Sequence, residues 1–241
     1  MRRLPACALW LAVLAASAVT EPGEAPDADL TVLEGLDLAT VRAGDWVEMD
    51  SRLTAPGGHE ERWSSRTECM EAGDGTLTLR SNRGVTGRRK GQWQVRVRRD
   101  GGAFEALWWV PEGGEPVAVE IPQARPKRGP RLTGKGTVTR ETITIAGREL
   151  ACLRLACDVT ETSGSRKETY RWTRWVSAEI PIPRFVKRGG AGEDGIEWDG
   201  EVPGSAGLAR MTYEYPDGEA VVSEATGWGR AGAGEPADRK R

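Results

Sequence analysis

From Gly44 onward the chain alternates. The stretch "GDWVEMDSRLT" sets Val47, Met49 and Leu53 on one side of an extended backbone and Trp46, Glu48, Asp50 and Arg52 on the other, the period of two that a half-buried strand needs. "RWSSRTECM" and "TLTLRSN" repeat it around the turn "EAGDG". In "GQWQVRVRRDGGAFEALWWVPE", Trp93, Val95 and Val97 alternate with Gln92, Gln94, Arg96 and Arg98, and Asp100-Gly101-Gly102 supplies a hairpin turn. On the return strand the same alternation groups Phe104, Ala106, Trp108 and Val110, and leaves Trp109 with Glu105 and Leu107 on the more polar side.

"EPVAVEIP" predicts a short strand. "TVTRETITIAGRELACLRLACDVTET" predicts a long hairpin turning at Gly147-Arg148, with Leu153, Leu155, Cys157 and Val159 on one face. The run "YRWTRWVSAEIPIPRFVK" predicts a strand that stops at Pro181 and Pro183, which cannot donate ladder hydrogen bonds; a sheet edge or a crossover is expected there. A last hairpin turns at Pro216-Asp217-Gly218. The one helical candidate is a short piece from Leu30 to Val41. About ten strands joined by hairpins predict an all-β chain with at most one or two short helices. Its expected form is a curved antiparallel meander, a half-barrel or incomplete barrel, since a sheet of ~10 strands rarely stays flat.

The N-terminus changes the picture first. Arg2 and Arg3, an apolar run from Leu4 to Ala15, and Ala16-Ser17-Ala18 have the layout of a secretory signal peptide over residues 1–18, and roughly a dozen apolar residues are too few for a membrane span. The acidic, Pro-bearing residues 19–29 are expected to be a disordered linker, 30–229 a single β-rich domain, and 230–241 a disordered tail. No later run is apolar enough to cross a membrane as a helix. Loss of Arg2 and Arg3 moves the formal charge from -2 to -4, which names no electrostatic partner. The chain is expected to be exported, periplasmic or secreted.

Export bears on the cysteines. Of the four, Cys69, Cys152 and Cys157 remain after cleavage, and an oxidising compartment favours a bridge. Along one strand Cys152 and Cys157 stand about 16 Å apart at ~3.3 Å per residue. The expected pairing is therefore Cys69 with Cys152 or Cys157, and the choice between them stays open.

Catalytic signatures are absent. His59, in "GGHEERW", is the only histidine, and its glutamate neighbours do not make a metal site. There is no G-x-S-x-G elbow, and "TGKG" at 133–136 lacks phosphate-loop spacing. Carboxylate pairs such as Glu193 with Asp194 and Glu197 with Asp199 are no more than 36 acidic residues produce by chance. No catalytic residue, metal or cofactor is assigned. The basic runs "RGVTGRRKGQWQVRVRR" and "RPKRGPR" read as solvated strand face and loop, and no nucleic-acid partner is expected.

Nine of the ten tryptophans follow the leader. Trp93, Trp108 and Trp172 share faces with apolar neighbours and are expected in the core. Trp46, Trp109 and Trp175 fall on the more polar faces, where they form either an aromatic platform for a ligand or a second core layer.

Three segments carry a resemblance. Gly44, Asp45, Trp46 and Val47; then Thr142, Ile143, Ile145, Gly147, Arg148, Leu150 and Cys152; then Trp175, Ser177, Ile180, Pro181, Val186 and Lys187 resemble, in this order, a group of secreted bacterial β-rich proteins to which no activity is attached. More distantly the layout is similar to the half-barrels of periplasmic lipoprotein carriers. That resemblance implies a concave sheet face that holds an apolar or amphipathic ligand, a lipid or a partner protein's segment. The alternatives are a structural or interaction protein with a filled sheet, and an enzyme whose site has no recognisable signature.

Overall fold

The computed structural model describes residues 38–82, 91–121, 131–183, 195–203 and 206–230. The expected signal peptide, the linker and, apart from Arg230, the tail lie outside these residues, as does most of the helical candidate; its described end is a turn in which Leu38 and Val41 are buried and Ala39 and Thr40 exposed.

Twelve strands build one sheet: β1 Trp46–Thr54, β2 Glu60–Ala72, β3 Thr76–Ser81, β4 Gly91–Arg98, β5 Phe104–Pro111, β6 Val117–Val119, β7 Arg131–Ile145, β8 Arg148–Ser163, β9 Arg166–Ser177, β10 Gly195–Trp198, β11 Gly207–Glu214 and β12 Ala220–Gly229. Their order is β10-β7-β8-β9-β11-β12-β1-β2-β3-β4-β5-β6. No described residue is helical, and the expected all-β, curved, mostly antiparallel sheet is what the chain forms. Two meanders meet where β12 pairs with β1. The edge strands β6 and β10 do not pair with each other, so the sheet is not a closed barrel.

Four register shifts bend it: at Glu48/Met49, Cys69/Glu71, Arg96/Val97 and Leu208/Arg210. Each sets two residues of one strand against one of the other and adds local twist. The roll is tight enough that β7 touches β12, four places away in the order, and the Arg148 guanidinium sits 4.6 Å from the Trp228 ring centre.

The long β7–β8 hairpin shows how curvature divides one strand between two cores. Residues directly opposite in an antiparallel pair share a face. On β8, Leu155, Cys157 and Val159 are buried on one face, and Leu150 and Cys152 on the other, with no register shift between them. The two ends of the hairpin therefore bury opposite faces of the same strand.

The Pro-punctuated stretch has a matching role. β9 pairs with β8 on one side and β11 on the other, so it is interior to the sheet, which corrects the expected edge. The crossover expectation holds: the chain next appears as β10, parallel to β7 at the far margin. The corner itself is packed. Ile180 and Ile182 are 2% and 1% exposed, and Gly207 leaves the space in which the Ile180 side chain lies against the β11 backbone. Pro183 bridges to Gly207, and Glu179 reaches Arg148 of the hairpin tip at 3.8 Å.

Candidate functional site

The ladder registers assign every described strand residue to one of two faces. The inner face carries Val47, Met49, Leu77, Leu79, Val95, Val97, Leu107, Leu155 and Trp172, all buried. The outer face carries most of the charged side chains, with Leu150, Cys152 and Ile143 buried on it at the β7–β8 tip.

The three candidate ligand tryptophans are not brought together. Trp46 points outward and lies over Gly227 and Gly229 of β12, the close approach that a side chain at Gly229 would block. Arg66 covers its other side at 4.6 Å from the ring centre and is itself held by Glu48 at 2.9 Å. Trp175 is also outward. Its indole N–H donates to Glu141 (3.0 Å), and Arg154 and Arg210 stand 5.9 and 5.7 Å from its ring centre. Both indoles meet the chain's own arginines.

Trp109 points inward, at 4% exposure, and meets Trp93 edge-on at 5.1 Å. The expected assignment of Trp108 to the core and Trp109 to the polar face is therefore reversed. The cause is the shift at Arg96/Val97: Phe104 pairs with Val97 but Ala106 pairs with Arg96, so Glu105 is extra and the alternation changes phase behind it. Leu107 and Trp109 then face Val95 and Trp93, while Trp108 is outward with Arg96 5.6 Å from its ring centre.

The expected disulfide is not formed. Cys69, Cys152 and Cys157 are free and buried. Five strand-to-strand steps separate β2 from β8, about 24 Å along the sheet at ~4.8 Å per step, well outside disulfide reach. Cys152 and Cys157 occupy opposite faces of β8. Burial, ahead of the nearby Asp45 carboxylate, pushes the Cys69 thiol up to about 11, and burial ahead of Glu141 does the same for Cys152. Both are inert protonated thiols at neutral pH.

Two features of the inner side escaped the sequence reading. One is a set of hydroxyls on its middle strands: Ser223 on β12 opposite Ser51 on β1, and Thr67 on β2 opposite Ser81 on β3, with Ser65 on β2 opposite Met49. Ser51 and Ser223 hydrogen-bond at 2.8 Å, Thr67 and Ser81 at 3.0 Å. Ser51 falls in phase with Val47, Met49 and Leu53 in the sequence, but alternation alone does not say which residue of a partner strand it meets.

The other is a group of carboxyls and phenols at one end of the sheet. The Tyr170 ring is 5.2 Å from Tyr215 and 5.9 Å from Tyr213, and its hydroxyl donates to Glu161 at 3.4 Å. Glu161 is directly opposite Glu168. Glu219 is 3% exposed, and its Oε1 has no hydrogen-bond partner. Burial, then the charge of Glu168, raises Glu161; burial, then Asp217 and Glu168, raises Glu219. These residues are scattered between positions 161 and 219, so only the β9–β11 pairing joins them.

The remaining candidates are structural or exposed. Asp199 accepts the Val138 amide at 2.7 Å. His59 is exposed, 3.8 Å from Glu61. Among the described residues no three His, Cys, Asp or Glu side chains could hold a metal ion together. A shallow cavity of about 460 Å³ between Gly73, Asp74, Asp100 and Ala39 contains Arg99, whose guanidinium is committed to the carbonyls of Gly73 (2.7 Å) and Ala39 (2.9 Å) and pins the N-terminal turn.

No protein-family model and no curated protein matches the chain. Among solved structures it is similar to a candidate lipoprotein from Parabacteroides distasonis (8% identity, TM-score 0.37, 82% of this chain and 99% of that one). It is also similar to a DUF1329 family protein from Desulfovibrio piger (10%, 0.33, 80% and 88%) and to a LolA superfamily protein from Nitrosomonas europaea (13%, 0.28, 82% and 91%). Superpositions this loose assign neither a family nor a function.

Proposed function

We propose that this chain is an exported, non-catalytic β domain that takes an apolar or amphipathic ligand, with lipid the class to test first, onto the inner face of its rolled sheet. The observation that carries this reading is the set of small hydroxyls among apolar residues on that face. A core that had only to fill itself gains most from aliphatic volume, whereas small hydroxyls between apolar walls leave a shallow strip suited to a chain with a polar end. In this reading Ser51, Ser65, Thr67, Ser81 and Ser223 would lie beneath the ligand. Leu53 and Trp63, half-buried at its side, and the Trp93–Trp109 pair further along the same face supply apolar contact. Trp46 and Trp175 support the sheet from outside. Export rests on Arg2, Arg3 and the apolar run behind them.

A second reading has its own observation. Trp172, Met49, Leu77, Leu79 and Leu155 on the inner face are at most 1% exposed, as expected of a sheet filled by its own side chains and acting through its surface on a partner protein. One experiment separates the two. The mature chain 19–241 and its Ser65→Leu variant are purified from an oxidising compartment, and lipid in the organic extract is quantified by mass spectrometry beside a thermal melt. The ligand reading requires stoichiometric lipid on the parent, lost from a variant that melts no lower. A lipid-free parent and a variant destabilised by overpacking, about 1–3 kcal/mol, establish the filled sheet.

A further inference from the structure

At one end of the sheet the ladder brings Glu161 of β8 and Glu168 of β9 face to face, and the β11–β12 turn lays Tyr215 and Glu219 beside them. The rings hold this end together: Tyr170 touches both Tyr213 and Tyr215. The charges oppose it. Glu168 pairs with Arg166 at 3.5 Å, and Arg174, further along the same face, donates to the Tyr213 hydroxyl at 3.1 Å. Glu161 has the Tyr170 hydroxyl at 3.4 Å. Glu219 sits almost wholly out of water with Oε1 unpartnered, and the next carboxylate along, Asp217, accepts the Glu219 amide rather than offering a counter-charge. From the neighbouring β1–β2 hairpin the same face receives Glu61, opposite Leu53, with His59 3.8 Å away and exposed. Lys167 and Glu214 belong to the other face, Glu214 opposite Arg171.

A buried carboxyl with no donor and with carboxylates for neighbours is stable mainly in its neutral form. No triad here has metal-holding geometry among the described residues. The fitting counter-ion is a proton.

We propose that Glu161 and Glu219, set beside Glu168 and the phenols of Tyr170, Tyr213 and Tyr215, form a proton-operated latch that holds the β11–β12 turn on the end of the β8–β9 hairpin in acid and loosens it as Glu161 and Glu219 ionise. The latch stands whether or not the inner face takes a ligand. Its sign follows from the raised affinities. A carboxyl that binds its proton more tightly when folded contributes stability that is complete below the ordinary carboxyl range, and loses it as pH rises through the folded value. Burial raises Glu161 and Glu219 in this way. The turn is pinned by the Tyr215 amide on the Glu219 carbonyl (2.9 Å) and the Gly218 amide on the Tyr215 carbonyl (3.0 Å), so those amides report its opening.

The test uses the mature chain with Glu219→Gln and, separately, Glu161→Gln, each of which keeps the shape and removes the charge. Glu214→Gln on the other face is the control for net charge. Melting temperature is measured from pH 4 to pH 8, with hydrogen exchange at Tyr215 and Gly218 normalised for intrinsic rate. The latch requires Glu219→Gln to melt about 3 °C or more above the parent at pH 8 and no higher at pH 4, to protect both amides at pH 8, and to flatten the parent's decline with pH; Glu161→Gln moves the same way and Glu214→Gln does not. The proposal is overturned if Glu219→Gln melts below the parent at every pH, which would mean that an ionised Glu219 is bonded and stabilising. It is equally overturned if all three variants keep the parent's pH profile.

Discussion

A single residue with the wrong backbone can be picked out at the tip of the β7–β8 hairpin. Ala146 has φ 49° and Gly147 φ 75°, two successive left-handed residues of the kind that close a two-residue hairpin and favour Asn-Gly. Alanine there pays for its Cβ against the neighbouring carbonyl, at roughly 1–2 kcal/mol, where asparagine is tolerated. Ala146→Asn should therefore raise unfolding stability by about 1 kcal/mol, seen as a higher denaturant midpoint at unchanged slope; a lower midpoint would show that the turn is held by something other than its own dihedrals. Gly147 was legible in the sequence as a turn residue, and so were Gly101, Gly102 and Gly218, all at positive φ. The inward tryptophan was not. Phe104, Ala106, Trp108 and Val110 make an unbroken alternating set, and only the extra Glu105 in the ladder with β4 exchanges Trp108 for Trp109. A bulge belongs to a pair of strands, and one strand's sequence carries half of that information.

At the scale of elements the same limit recurs. Hairpin neighbours were readable because a turn residue announces each of them. The β10–β7 pair was not: it is four residues long, parallel, and joins Gly195–Trp198 to Thr133–Gly136. The corner after β9 was read as punctuation, because Pro181 and Pro183 dominate its sequence. Structurally it is a plug, since Ile180 and Ile182 are buried, Ile180 against the start of β11, and Glu179 reaches the β7–β8 tip. A plug has a packing cost when removed, whereas a mere corner has almost none. Ile180→Ala should lower stability by about 2–4 kcal/mol, whereas Glu179→Ala, which removes a 3.8 Å exposed ion pair with Arg148, should change it by less than about 1 kcal/mol. Equal, small effects in urea titrations of the two variants would return the segment to the status of a connection.

For the whole molecule, a sheet without a covering helix among the described residues has to bury its inner face by rolling, so each meander supplies the second layer that the other needs. The join is β12 against β1, from Trp46 opposite Gly229 to Thr54 opposite Ala220, and it ties the beginning of the described chain to its end. Such a fold is dominated by contacts distant in sequence, and its parts have little independent stability. Ending the chain at Glu219 removes β12 alone and leaves the β1–β6 meander intact in sequence, together with its buried Leu77, Leu79, Val95, Val97 and Leu107. If the halves depend on each other, the intact protein shows coincident transitions by tryptophan fluorescence and circular dichroism, and the shortened chain shows neither. A cooperative transition surviving in the shortened chain, with Trp93 and Trp109 still shielded, would mean that β1–β6 is a domain in its own right and that the inner face is divided between two independent units.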